Sequence, residues 1–275
     1  MIWALAIVLA ITLSMVSERF AIAIAEIIVY ALLLPISLFI TVRHGISKSS
    51  GYLPLCIFCC LRLSTAGLGI ASETNGHTNR AHLVWSEILG SVGLAPLLVA
   101  GVSLITRVNK NSIPRSNFRT NAPRILHILN VLALALTIVG GVLLSSYKAS
   151  RQRSGKHFTQ TGLSIFMAVF AIYTVLCVQT LLSLNAVASG ERRILAGAVI
   201  AIPFLFLRIL YAMLAAFRDK QKFSIINGSA TVQLGMAVIM EMIVVVIYCG
   251  TGLFGPTEKQ IARRKEDLRL QRAAI

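Results

Sequence analysis

The stretch ILNVLALALTIVGGVLLSSY, residues 128–147, contains 20 residues and no charged side chain. About 20 apolar residues in an α-helix are long enough to cross the hydrocarbon core of a bilayer. Further long apolar segments occur along the chain, and inside a membrane each must satisfy its own backbone hydrogen bonds, which requires a helix. The sequence therefore predicts an all-α, polytopic bundle of seven transmembrane helices, at residues 22–42, 52–73, 83–106, 125–147, 161–183, 194–217 and 230–253.

The composition of the whole chain agrees with this prediction. Its 275 residues are 56% hydrophobic and 13% charged, and the mean hydropathy is +0.80. Soluble domains average about 45–50% apolar and about 25% charged residues. These values exclude an ordinary soluble globule, a disordered chain and a disulfide scaffold, and seven spans leave no room for a large soluble domain.

Two regions flank the predicted transmembrane domain of residues 22–253. Residues 1–17 are a short apolar segment that is either signal-like or an additional helix, and residues 256–275 form a basic tail. Lysines and arginines number 15 on the side of this tail and eight on the other, which predicts a cytosolic C-terminus. We expect a multi-pass protein of the endoplasmic reticulum or another endomembrane. A glycosylation sequon at Asn227 lies very close to the last span and is a weak signal.

The net charge of +16 comes mainly from the loops and the tail. Cationic loops orient helices and contact anionic lipid headgroups. We therefore expect membrane lipids as partners rather than nucleic acid. The chain has no glycine-rich phosphate loop and no acidic metal motif, so we expect neither a cofactor nor a metal ion.

Ionisable residues within the spans are the most informative feature of the sequence. One charge at the bilayer centre costs about 2.5–3.5 kcal/mol on insertion scales, so such residues persist where they pair or line a polar site. With a rise of about 1.5 Å per residue, all of them fall in one half of the membrane. The pattern predicts a single polar pocket that contains Glu26, Arg62, Glu87, Arg208 and Glu241.

Tyrosine hydroxyls share helix faces with three of these charges. Tyr30 follows Glu26 by four residues, Tyr211 follows Arg208 by three, and Tyr248 follows Glu241 by seven. Positions with these spacings lie on one face of a helix. We predict that the tyrosines and both arginines line a pocket for a hydrophobic small molecule. The alternative is that the charges form buried salt bridges that only fix the helix packing.

The charges within the spans do not balance. Three carboxylates against two guanidiniums leave one carboxylate without a partner, and burial without a counter-charge penalises its ionised form. A neutral acid in an apolar pocket is a proton donor. Glu241 is the preferred donor because it lies deepest, Glu26 is the next, and Glu87 completes the set of candidate catalytic residues.

Several motifs on successive helices carry a resemblance to a known family: Ala25–Tyr30, Arg62, Gly93–Leu98, Arg208–Tyr211 and Met240–Met242. In this order they resemble a family of fungal seven-helix integral membrane proteins of unknown function, which implies a fold but no chemistry. A looser similarity, in size and helix number, is to the membrane-bound terpene cyclases of fungal meroterpenoid pathways. That similarity implies intramembrane carboxylic acids that protonate an epoxide or an alkene.

The residues and the resemblance together predict an integral membrane isomerase. Such an enzyme would start the cyclisation of a prenylated lipid or terpenoid by proton transfer and belong to secondary metabolite biosynthesis. Two alternatives use the same charges differently: a seven-helix small-molecule receptor or scaffold, and a proton-coupled transporter.

Overall fold

The computed structural model describes residues 18–45, 51–74, 92–112, 117–146, 148–183, 190–217 and 234–255, together with Val187 and Gln260. These residues form seven α-helices and no strand. Glu87, Asn227, the expected segment 1–17 and, apart from Gln260, the basic tail of residues 256–275 lie outside the described residues. The helices are α1 (Glu18–His44), α2 (Leu53–Thr74), α3 (Leu94–Ser112), α4 (Asn117–Leu144), α5 (Ala149–Leu182), α6 (Arg192–Phe217) and α7 (Met240–Phe254).

Six of the seven helices are long and apolar enough to cross a membrane: α1, α2, α4, α5, α6 and α7. The last of these spans begins at Ala237, three residues before α7. The prediction of an all-α, polytopic bundle is confirmed. The largest boundary difference is in α5, which begins at Ala149 rather than at residue 161. Its first turns carry polar residues that extend the helix beyond the apolar segment, because hydropathy marks the membrane and not the end of a helix.

The third helix, α3, is the centre of the bundle. Among residues 92–108, only Val99 and Thr106 are not fully buried, and α3 packs against α2, α4, α5 and α6. A helix that is apolar on every face is best stabilised inside the structure. Small residues permit the close packing: a Cβ atom added to Gly101 would lie 2.7 Å from Tyr248 Oη of α7.

The remaining helices surround α3. α1 packs against α2 and α7, and α4, α5 and α6 follow one another around the other side until α6 meets α7. Glycines set the close approach of α4 and α5. A Cβ atom on Gly140 would lie 2.7 Å from the backbone nitrogen of Thr159, and one on Gly155 would lie 2.7 Å from that of Leu144. Small residues allow helix backbones to approach in this way.

A π-helical turn, Leu234–Ile239, leads into α7. The pattern of apolar residues does not predict this turn. π-Helical turns frequently occur at functional sites, and this one ends two residues before Glu241.

Candidate functional site

Glu241, at the start of α7, is held by arginines from two other helices. Arg62 of α2 donates from Nη2 to Glu241 Oε2, and Arg208 of α6 donates from Nε to Glu241 Oε1. Glu241 has no solvent exposure, and both arginines are buried. Each carboxylate oxygen of Glu241 therefore accepts a hydrogen bond from one guanidinium. The Glu241 side chain in this way links α2, α6 and α7.

Glu26 of α1 adds a second carboxylate to this group. Its Oε1 lies 3.7 Å from Nη1 of Arg62, and its side chain is 7% exposed. Arg62 thus contacts both acids with different nitrogens of one guanidinium. We call Glu26, Arg62, Arg208 and Glu241 the Glu241 cluster. Its two arginines and two carboxylates balance in formal charge, as a buried set of charges requires.

Aromatic rings cover one side of the Glu241 cluster. Arg62 Cζ lies 5.6 Å from the centroid of the Phe58 ring, one turn earlier in α2. The ring of Tyr30, one turn after Glu26 in α1, meets Phe58 edge to face at a centroid distance of 5.7 Å. A guanidinium over an aromatic face gains a cation–π interaction, which helps to hold Arg62 between the two carboxylates.

Two buried polar atoms beside these rings have no hydrogen-bond partner within the described part of the chain. They are Tyr30 Oη and Arg62 Nε. Leaving a buried polar group unsatisfied costs about 1–3 kcal/mol. Both groups can donate a hydrogen bond, so an oxygen atom of a bound molecule would satisfy either of them.

The structure brings together four of the five charged residues that the sequence analysis singled out. It also corrects one expectation about them: Glu241 is not the carboxylate without a partner, because it contacts both arginines. Glu26 is the less strongly paired carboxylate. Glu87 lies outside the described residues.

The three candidate tyrosines do not share one location. Tyr30 lies beside Phe58, and Tyr211 is buried on α6 one turn after Arg208. Tyr248 lies further along α7, where its hydroxyl is 3.4 Å from that of Tyr173. Tyr173 Oη also donates to the backbone carbonyl of Ala198 at 3.1 Å. Tyr248 therefore belongs to a separate tyrosine pair at the middle of the bundle.

A second polar group, which we call the His44 group, lies at the opposite end of α1 and was not predicted. His44 Nε2 donates to the Gly252 carbonyl of α7 at 2.8 Å, and Arg107 Nη1 of α3 donates to His44 Nδ1 at 3.1 Å. A carbonyl can only accept and a guanidinium can only donate, so the imidazole is neutral with its proton on Nε2. The spacing of Ser37, Thr41 and His44 on one buried face of α1 is the signal that could have revealed it.

Comparison with known proteins places the chain in a family. A family model described as a domain of unknown function, DUF7702, matches residues 16–258. The chain belongs to the DUF7702 family. No curated protein and no solved structure matches the chain. The DUF7702 match spans every described helix, so the Glu241 cluster and the His44 group both lie within the family domain.

Proposed function

We propose that this DUF7702 protein is an integral membrane isomerase that cyclises an oxygen-bearing prenylated lipid or terpenoid, with Glu26 as the proton donor. One observation carries the proposal. Two carboxylates share a buried cluster but have different partners: Glu241 contacts both arginines, whereas Glu26 has one contact, of 3.7 Å, to Arg62. Carboxylates in unlike environments are the usual arrangement when one exchanges a proton and the other stays ionised.

The electrostatics of the Glu241 cluster favour Glu26 over Glu241 for proton exchange. Protonation of Glu241 would disrupt ion pairs with two arginines, whereas protonation of Glu26 would weaken one contact of 3.7 Å. With Glu26 protonated, the cluster carries one excess positive charge. Release of the proton restores the balance, and Arg62 stabilises the resulting carboxylate, so the cluster favours transfer of the proton to a bound substrate.

The unpartnered donors indicate how a substrate would be oriented. An epoxide or ether oxygen placed against Tyr30 Oη or Arg62 Nε would accept a hydrogen bond from that donor. The hydrocarbon part of the substrate would reach the site from the lipid. Orientation of this kind is what allows a proton to be transferred along one defined path.

The proposed reaction balances within the substrate and Glu26. The Glu26 carboxyl proton moves to the epoxide oxygen, and the breaking C–O bond leaves its electron pair on that oxygen as a hydroxyl. The π electrons of a nearby alkene then form a ring C–C bond to the electron-deficient carbon. The final cation loses a proton to the Glu26 carboxylate, which regenerates the acid and leaves an isomer of the substrate.

Membranes that contain the protein provide the direct test. Given an epoxidised farnesyl-aromatic compound, they should form a cyclic isomer, and Glu26→Gln should reduce the rate at least about 100-fold, the low end of the range for general acid catalysis, at unchanged expression. Tyr30→Phe should lower the rate, whereas Tyr173→Phe, which alters a buried tyrosine outside the cluster, should not.

The possible outcomes separate the candidate functions. Cyclic product formed by Glu26→Gln at the wild-type rate would contradict the role of Glu26. Uptake of a labelled solute into vesicles without chemical conversion would instead identify a proton-coupled transporter, and saturable binding without either would identify a receptor or scaffold.

We also propose an orientation and a membrane of residence for the protein. The lysine and arginine distribution supports a C-terminus in the cytosol, and we propose residence in the endoplasmic reticulum of a fungal cell, within terpenoid secondary metabolism. An epitope tag after Ile275 should be digested when protease is added to intact microsomes. Protection of the tag would reverse the orientation.

A further inference from the structure

The C-terminal end of α7 meets two exposed arginines from neighbouring helices. Arg43, in the last turn of α1, donates from Nη1 to the Leu253 carbonyl at 2.7 Å. Arg193, in the first turn of α6, donates from Nη1 to the Phe254 carbonyl at 3.5 Å. The last carbonyls of a helix have no partner within it, so the two arginines satisfy adjacent carbonyls and converge on one point.

Each of these two arginines has N–H donors that its contact with α7 does not use. A guanidinium has five N–H donors in a planar fork, and the contact to α7 uses one nitrogen of each. Both side chains are exposed. Two N–H groups of a guanidinium match the geometry of two phosphate oxygens. The two arginines are therefore suited to bind one phosphate from two sides.

An apolar face extends from each arginine toward the middle of the membrane. On α1, Leu32, Ile36 and Phe39 are exposed, and with Arg43 they follow helical spacing on one face. On α6, Ala196, Ile200 and Pro203 are exposed in line with Arg193. α7 packs against both helices, so the two stripes flank it and both arginines lie at the same end.

The charge at this end is complementary to an anionic headgroup. Among the described residues, Glu191 is the one acidic side chain here, and it is fully buried. With the C-terminus in the cytosol, as proposed above, this end lies at the cytosolic leaflet, which carries the anionic phospholipids. A free anion would engage the arginines but would not contact the two apolar stripes.

We propose that Arg43 and Arg193 bind the phosphate of one anionic phospholipid, whose acyl chains lie along the exposed stripes of α1 and α6 on either side of α7. The site lies at the opposite end of α7 from the Glu241 cluster. It does not depend on the reaction proposed above.

Lipid-dependent thermal stability of the purified full-length protein tests this site. Dioleoyl phosphatidylglycerol added to the delipidated protein in detergent should raise Tm in a saturable manner, because a ligand that binds only the folded state stabilises it. Dioleoyl phosphatidylcholine and inorganic phosphate at the same concentrations should not. Arg43→Gln and Arg193→Gln should each raise the half-saturating lipid concentration about fivefold, the typical contribution of one arginine near an anionic surface.

Exposed arginines at the other end of the bundle supply the matched control. Arg151→Gln with Arg153→Gln removes as much charge from the start of α5 as the double variant Arg43→Gln with Arg193→Gln removes from the proposed site, and it should leave the half-saturating concentration unchanged. If Arg43→Gln with Arg193→Gln lowers the yield too far, Arg193→Gln alone suffices, since its carbonyl contact is the longer one. Three outcomes would each overturn the proposal: an unchanged half-saturating concentration in Arg193→Gln, a rise in the control variant as large as that in the Arg43 and Arg193 variants, or an effect of phosphatidylcholine equal to that of phosphatidylglycerol.

Discussion

The two ends of α7 provide different kinds of acceptor for the side chains that meet them. At its start, Arg62 and Arg208 are neutralised by the side chains of Glu241 and Glu26. At its end, Arg43, His44 and Arg193 donate to the backbone carbonyls of residues 252–254. The acceptors at the start of α7 are carboxylates, and those at its end carry the partial negative charge of a helix C-terminus.

The difference assigns different capabilities to the two ends. A carboxylate can gain or lose a proton, so the Glu241 cluster can change its charge by one unit. The acceptors at the other end are backbone carbonyls, which have no accessible protonation change, so these contacts anchor α7 against α1 and α6. We therefore propose chemistry at the start of α7 and attachment at its end.

The largest effect is expected at the start of α7, from Glu241→Gln. This change leaves two buried guanidiniums without their shared carboxylate, and breaking a buried ion pair from one side typically costs about 3–5 kcal/mol. We expect a large loss in the free energy of unfolding, measured by reversible denaturation in detergent. Adding Arg208→Gln to the same variant should recover part of the loss. Wild-type stability in Glu241→Gln would show that the carboxylate does not hold the three helices together.

At the end of α7, His44→Phe should have the next largest effect. The ring keeps its place beside Tyr52, 4.8 Å away between centroids, but the buried Gly252 carbonyl loses its donor. We expect a loss of about 1–3 kcal/mol in the free energy of unfolding. His127→Phe changes a half-buried histidine of α4 and should have a smaller effect. Equal effects of the two substitutions would contradict the anchoring role of His44.

These contrasts show which features the sequence could predict. The apolar segments predicted every described helix, because membrane thickness sets their length. They did not predict that α3 is central, since a helix apolar on all faces suits a lipid environment and a protein interior equally. The intramembrane charges marked Glu26, Arg62, Arg208 and Glu241 as partners because their cost demands pairing.

The sequence could not predict which carboxylate pairs with which arginine. Depth along each helix is fixed by residue number, but the rotation of the helices and the π-helical turn before Met240 set the contacts of Glu241. The His44 group was missed for a related reason. Its main acceptor is a backbone carbonyl, which carries no residue-specific signal.

Within the Glu241 cluster, Glu26→Gln should cost much less stability than Glu241→Gln. It removes one ionic contact of 3.7 Å and leaves Arg62 paired with Glu241, so we expect a loss of about 1 kcal/mol. The same denaturation experiment measures it. A loss as large as that of Glu241→Gln would mean that the two carboxylates are equivalent, which would remove the basis for assigning proton transfer to Glu26.

The smallest expected effect is a difference in sign between two arginine substitutions, one at the end of α7 and one elsewhere on the surface. Arg43 lies at the C-terminal ends of α1 and α7, where a cation is favourable, whereas Arg151 lies in the first turns of α5, where it is not. Arg43→Gln should therefore lower the free energy of unfolding by about 0.3–1 kcal/mol at low salt, and Arg151→Gln should leave it unchanged or raise it slightly. The difference should shrink at high salt, because these interactions are screened. Destabilisation of both variants by the same amount would show that the end of α7 attracts cations no more than the rest of the surface.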